Sequence, residues 1–145
     1  MSKVEAAIVK PQPKEAVQPK QELKTLKDLI FLGRIEKKIN ISGFEIGLKS
    51  LTIQDNKYII EKILLSDNAS KFVDAKILSI VTHINTINEV PVENLCEDES
   101  ITNPMDRKLN VVSSFQLSLI EKLYEFCNKI DEESGKEVEV NEIKK

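Results

Sequence analysis

Two short runs of alternating residues around a Ser-Gly pair constrain the fold of this chain more than any other feature. Ile35, Ile39 and Ile41 share one parity, and Arg34, Glu36, Lys38 and Asn40 share the other; Lys37 interrupts the apolar side once. After Ser42-Gly43 the alternation resumes, with Phe44, Ile46 and Leu48 set against Glu45 and Lys49. A period of two puts each set on one face of a strand, so residues 31–51 are predicted to form an antiparallel hairpin. Gly43 can supply the positive φ that a tight turn requires. Gly47, inside the second run, calls for a bulge or a close neighbouring backbone. A two-stranded hairpin is marginal alone. It must pack on the segments that follow or extend its sheet with a partner strand.

Those segments carry helical periodicity. Thr52-Ile53-Gln54-Asp55 reads as a helix start, with Thr52 as the N-terminal cap and Asp55 on the positive end of the dipole. Ile59, Ile60, Ile63 and Leu64 follow at helical spacing, up to Ser66-Asp67-Asn68. A second helix is predicted from about 68 to 84, with Phe72, Val73, Ile77, Ile80, Val81 and Ile84 as its buried stripe. Pro91 and its β-branched neighbours make 86–92 an extended connection. A short helical turn spans Glu93 to Glu97, ahead of a solvated acidic loop. Asn103-Pro104 then opens the strongest helical pattern. Met105, Leu109, Val112, Gln116, Leu119, Leu123, Phe126 and Ile130 recur in steps of four and three, widened by Phe115, Ile120, Tyr124 and Cys127. One continuous helix is expected here, ending before Gly135 as its cap.

The ends differ in character. Pro11, Pro13 and Pro19 punctuate a stretch rich in Lys, Gln, Glu and Val, so residues 1–28 are expected to be a flexible arm. Residues 135–145 are expected to be a charged, frayed tail. That leaves residues 29–134 as the domain. The fold class is therefore α+β: an N-terminal β-hairpin packed on a mostly α-helical bundle, with disordered tails.

The search for chemistry is short. The 145 residues hold two cysteines, Cys96 and Cys127, and one histidine, His83. That set does not make a four-ligand zinc site, and two reduced thiols are expected. No phosphate-binding loop or hydrolase motif is present, and the four glycines are scattered. His83 is expected to be a partly exposed helix residue, and Cys127 a small hydrophobe. The acidic group Glu93, Glu97, Asp98 and Glu99 lacks the spacing of a calcium loop. A net charge of −3 offers no broad attraction to nucleic acid. No stretch reaches the roughly 18–20 apolar residues of a membrane span, and no apolar signal segment follows Lys3. The expectation is a cytoplasmic binding protein without cofactor or metal.

The wide stripe of the last helix admits two readings. It is core, or it is core plus an excess that receives another copy or a partner helix in a groove. Candidate partner-binding residues are Phe44, Ile46 and Leu48 on the hairpin, with Phe115, Leu119, Ile120, Leu123 and Phe126 on the helix.

The segment Leu32-Gly33-Arg34-Ile35-Glu36-Lys37, followed by Ile41-Ser42-Gly43-Phe44-Glu45-Ile46-Gly47-Leu48-Lys49-Ser50-Leu51-Thr52, resembles a pattern of small tail-assembly proteins of tailed bacteriophages. There a strand "LGR-x-x-K" leads to "I-x-G-F-x-F-x-L-x-x-L-T", and helices follow. Ile84 to Val92 is similar to a further motif, "I-x-x-I-D/N-G-x-P", with Glu89 standing where that motif often has glycine. The resemblance implies a tail assembly chaperone that keeps the helical tape-measure protein soluble in the host cytoplasm. Its alternative is a baseplate or tail subunit that stays in the virion. Either role is binding rather than catalysis, and several copies could act together.

Overall fold

A computed structural model of the chain describes residues 25–143. The predicted arm lies outside the described residues as far as residue 24, and so does the end of the predicted tail, at 144–145. The chain divides into two units after Leu32. The described part of the first unit is one short helix, α1 (Leu26–Ile30). Thr25 caps it reciprocally: its hydroxyl accepts from the Asp28 N–H at 3.1 Å, and the Asp28 carboxylate accepts from the Thr25 N–H at 3.0 Å. The arm predicted over 1–28 therefore contains the start of a helix. Leu26, Leu29 and Ile30 are exposed on it.

The second unit contains the predicted hairpin, β1 (Glu36–Ile41) and β2 (Phe44–Lys49). Ser42 and Gly43 both take positive φ, 51° and 92°, the combination that matches a two-residue turn to the twist of its strands. The Gly43 N–H also donates to the Asn40 side chain at 3.1 Å. Ile41 lies opposite Phe44, and Ile39 opposite Ile46.

The sheet does not stop at two strands. The stretch expected to be a simple extended connection folds as β3 (Ile84–Ile87) and β4 (Val90–Pro91), giving an antiparallel sheet in the order β1-β2-β3-β4. Asn88 and Glu89 turn the chain between them, both at positive φ. Asn88 is held by β2: its N–H donates to the Glu45 carbonyl at 2.7 Å, and its side chain accepts from the Glu45 N–H at 2.9 Å. Gly47 faces Thr86 where the register shifts between Gly47 and Leu48. The bulge reading holds, while the close neighbour is the Thr86 side chain rather than its backbone. An added Cβ would lie 2.5 Å from the Thr86 hydroxyl.

Helix α2 (Ile53–Leu65) starts on a Thr52–Asp55 capping box. Helix α3 (Lys71–His83) runs straight into β3. Four of the six residues of its predicted stripe face the core: Ile80, Val81 and Ile84 are buried and Ile77 packs beside them, but Phe72 is 88 % exposed and Val73 is exposed too; Leu78, outside the predicted stripe, is also buried. Leu64 and Leu65 at the end of α2 are exposed as well.

A 3-10 turn (Val92–Leu95) follows β4. Arg107 gathers the loop beyond it, donating to the carbonyls of Glu93, Cys96 and Ile101 at 2.8–2.9 Å. The expected single last helix is two: α4 (Pro104–Val112) and α5 (Leu117–Glu137). Asn103 caps α4, and Pro104 opens it as predicted. The break spans 113–116, where the N–H groups of Ser114 and Phe115 bond back three residues to Val111 and Val112. Gln116, the one polar member of the stripe, stands at the N-cap position of α5, though its side chain makes no capping bond. Gly135 is not a cap, because α5 continues through it to Glu137.

The core joins Ile46 and Leu48 of β2 to Ile80 and Val81 of α3, Ile84 of β3, Val112 of α4, and Ile120, Leu123, Cys127 and Ile130 of α5. Lys108 ends in it, donating to the Ile84 carbonyl at 2.8 Å, and burial holds its pKa below the ordinary lysine value. The mixed α+β class expected from the sequence is the observed one, with a larger sheet.

Candidate functional site

The hairpin and the start of α5 enclose an apolar groove of about 640 Å³. Period two places Ile41, Phe44 and Ile46 on one face of the hairpin, and the pairing of Ile46 with Ile87 brings β3 onto the same face. The opposite wall comes from the break between α4 and α5. The tightened turn at 113–116 presents Phe115, and the first turns of α5 add Leu119. Phe44 remains 54 % exposed beside this space, and Phe115 and Leu119 are half-buried against the core. Six large apolar side chains thus meet around a space of the size used by binding pockets.

The rim is polar but carries one sign of charge. Ser42, Ser114, Gln116 and Ser118 line it together with Lys122. The Ser114 hydroxyl is occupied, donating to the Val111 carbonyl at 2.6 Å. Among the described residues, Lys122 has no ion-pair partner and no carboxylate lines the groove.

Four of the eight residues singled out from sequence, Phe44, Ile46, Phe115 and Leu119, come together here. The others do not. Leu48, Ile120 and Leu123 are buried in the core, out of a partner's reach in the folded chain. Phe126 packs half-buried against that core, with the Lys129 ammonium 4.9 Å from its ring centre. They were indistinguishable in sequence because one helical stripe supplies both the core and the groove wall. The sequence reading missed Ile41, Ile87 and Lys122 as groove residues. Ile41 carried a signal, since it shares parity with the hairpin's apolar set. Ile87 carried none without the third strand.

His83 corrects an expectation. It is fully buried rather than partly exposed, with Nδ1 2.7 Å from the Ser79 carbonyl and Nε2 2.7 Å from the Asp131 carboxylate. Position 83 ends α3 on the side facing α5, which its place beside the apolar stripe did not reveal. Cys127, one turn before Asp131, is buried as expected. Burial, with the Asp131 charge added, pushes its thiol up to about 12, away from the reactive thiolate.

No cluster of three or more metal-ligating side chains occurs among the described residues. Among them, no helix is long and apolar enough to cross a membrane. In the loop after the 3-10 turn, Asp98 accepts from the Ser100 hydroxyl and N–H, which hold its carboxyl below the ordinary value. Comparison with known protein families, curated proteins and solved structures finds no match to this chain.

Proposed function

We propose that this chain is a non-enzymatic binding module of tailed-phage tail assembly, a chaperone that holds an apolar helical segment of the tape-measure protein. The observation that carries the binding role is the groove itself. Apolar residues from the hairpin and from α5 converge on one open space instead of closing against each other. An amphipathic helix laid into such a groove buries its apolar face and is kept from aggregating. The assignment to tail assembly rests on the resemblance of residues 32–52 and 84–92.

The test is binding of purified tape-measure protein to the wild-type chain and to Leu119→Asp. Leu119 is half-buried, so circular dichroism must first show that the variant is folded. A buried carboxylate in the groove should weaken binding by at least about tenfold. A folded variant that binds as well as wild type would remove the groove from the role.

A second reading is a subunit retained in the baseplate or tail. The exposed apolar residues Leu64 and Leu65 at the end of α2 and Phe72 and Val73 at the start of α3 favour it, because a lattice subunit needs a second apolar surface for a neighbour. Mass spectrometry of purified particles beside their lysate separates the two roles. A fixed copy number in particles supports the subunit, and abundance confined to the lysate supports the chaperone.

A further inference from the structure

We infer that the groove selects a helix bearing a carboxylate next to its apolar stripe, and that Lys122 is the residue that reads this charge. The inference rests on the binding role proposed for the groove and names the chemistry of its occupant. The floor and walls are apolar and accept any large aliphatic or aromatic side chain, so they discriminate little among amphipathic helices. Discrimination falls to the rim. Among the described residues the only charge lining it is the Lys122 ammonium, beside the hydroxyls of Ser42 and Ser118 and the Gln116 amide.

Two lysines that lie away from the groove are engaged with carboxylates. Lys76 bonds both oxygens of Glu121 at 3.1 Å, and Lys37 bonds Glu133 at 2.7 Å. Lys122 has no such partner among the described residues, so an arriving carboxylate competes with none. The field adds in the same direction. Helix α5 begins at this wall and carries no acidic residue in its first turn, which leaves its positive dipole end unneutralised. A lysine on the incoming helix would meet Lys122 and that dipole with no acid among the described residues lining the groove, which is how a rim excludes wrong partners.

An amphipathic helix would present its apolar anchors to the groove at i, i+3 or i+4, and i+7.

The experiment uses two labelled 16-residue helical peptides with leucines at those three positions, identical except for glutamate or lysine at the two positions flanking the stripe. Fluorescence anisotropy at low salt should show the acidic peptide binding about three- to tenfold tighter, with the preference shrinking as salt screens it. Lys122→Glu, an exposed substitution that leaves the apolar walls intact, should reverse the preference. Leu119→Asp should lose both peptides. Equal binding of both peptides to wild type and to Lys122→Glu would overturn the charge reading while the groove reading stands. Binding of neither peptide to wild type would overturn both. A dimer that Leu119→Asp dissociates, and that the acidic peptide fails to dissociate, would show that a second copy fills the groove and would equally overturn the inference.

Discussion

Gly47→Ala tests how tightly β2 is pressed on β3, and hence what fixes the groove's sheet wall. A Cβ at this position would stand 2.5 Å from Thr86 Oγ1, where ordinary van der Waals contact begins at 3.4 Å. Thr86 is β-branched and stiff at χ1, so turning the hydroxyl away either brings its methyl round or forces a change to the rotamer that points its hydrogen at Gly47. Its backbone nitrogen, 3.6 Å from the added Cβ, limits any retreat toward the strand. The strands must separate at the register shift between Gly47 and Leu48, next to Ile46 and Ile87 on the groove.

Overpacking of this kind costs about 1–3 kcal/mol. Replacing glycine offsets about 0.4–1 kcal/mol of that by restricting the unfolded chain. The net expectation is a loss of about 1–2 kcal/mol, seen as a fall of about 4–10 °C in Tm. The assay is urea denaturation of wild type, Gly47→Ala, Thr86→Ala and the double variant. Thr86→Ala removes the clashing oxygen and leaves its Cβ at 3.7 Å, an ordinary contact. The double variant should therefore be more stable than the sum of the single losses predicts, by about 1 kcal/mol or more. Gly47→Ala as stable as wild type, or a double variant additive within about 0.5 kcal/mol, would refute the close contact.

Two further outcomes concern other sites. The Asp55 carboxyl keeps a pKa below the ordinary 3.8: burial raises it, but Lys49 at 2.8 Å and the Thr52 N–H and hydroxyl together outweigh burial. Because the folded value is the depressed one, its stabilisation is full above 3.8 and is lost as pH falls through the folded value. Asp55→Asn should thus be less stable than wild type at neutral pH, with the gap closing in acid. A gap that stays constant down to pH ~2 would contradict this linkage. Glu89 sits at φ 69°, which disfavours any residue with a Cβ by about 1–2 kcal/mol. Glu89→Gly should therefore gain about 0.5 kcal/mol after the extra freedom of the unfolded glycine is subtracted. A clear loss of stability in urea melts would show that the Glu89 side chain does more than its exposed approach to Lys38 at 3.7 Å suggests.

What the sequence determined by itself was whatever depends on neighbours along the chain. The alternation of Ile39, Ile41, Phe44 and Ile46 with a turn at Ser42-Gly43 defines the hairpin, because strand parity and turn φ are local properties. The caps Thr52–Asp55 and Asn103-Pro104 are local for the same reason. Tertiary structure decided the rest. Strand β3 forms because β2 offers it an edge, with Asn88 bonded across to Glu45; its turn carries Glu89 in place of glycine and so lacked the usual signal. The stripe from Met105 to Ile130 reads as one helix because periodicity survives a four-residue break whose length nearly equals one turn. Which members of that stripe face the core and which face the groove is set by where β1, β2 and β3 end in space. Leu123 is buried and Leu119 lines the groove for that reason, although they lie one turn apart on the same face of α5.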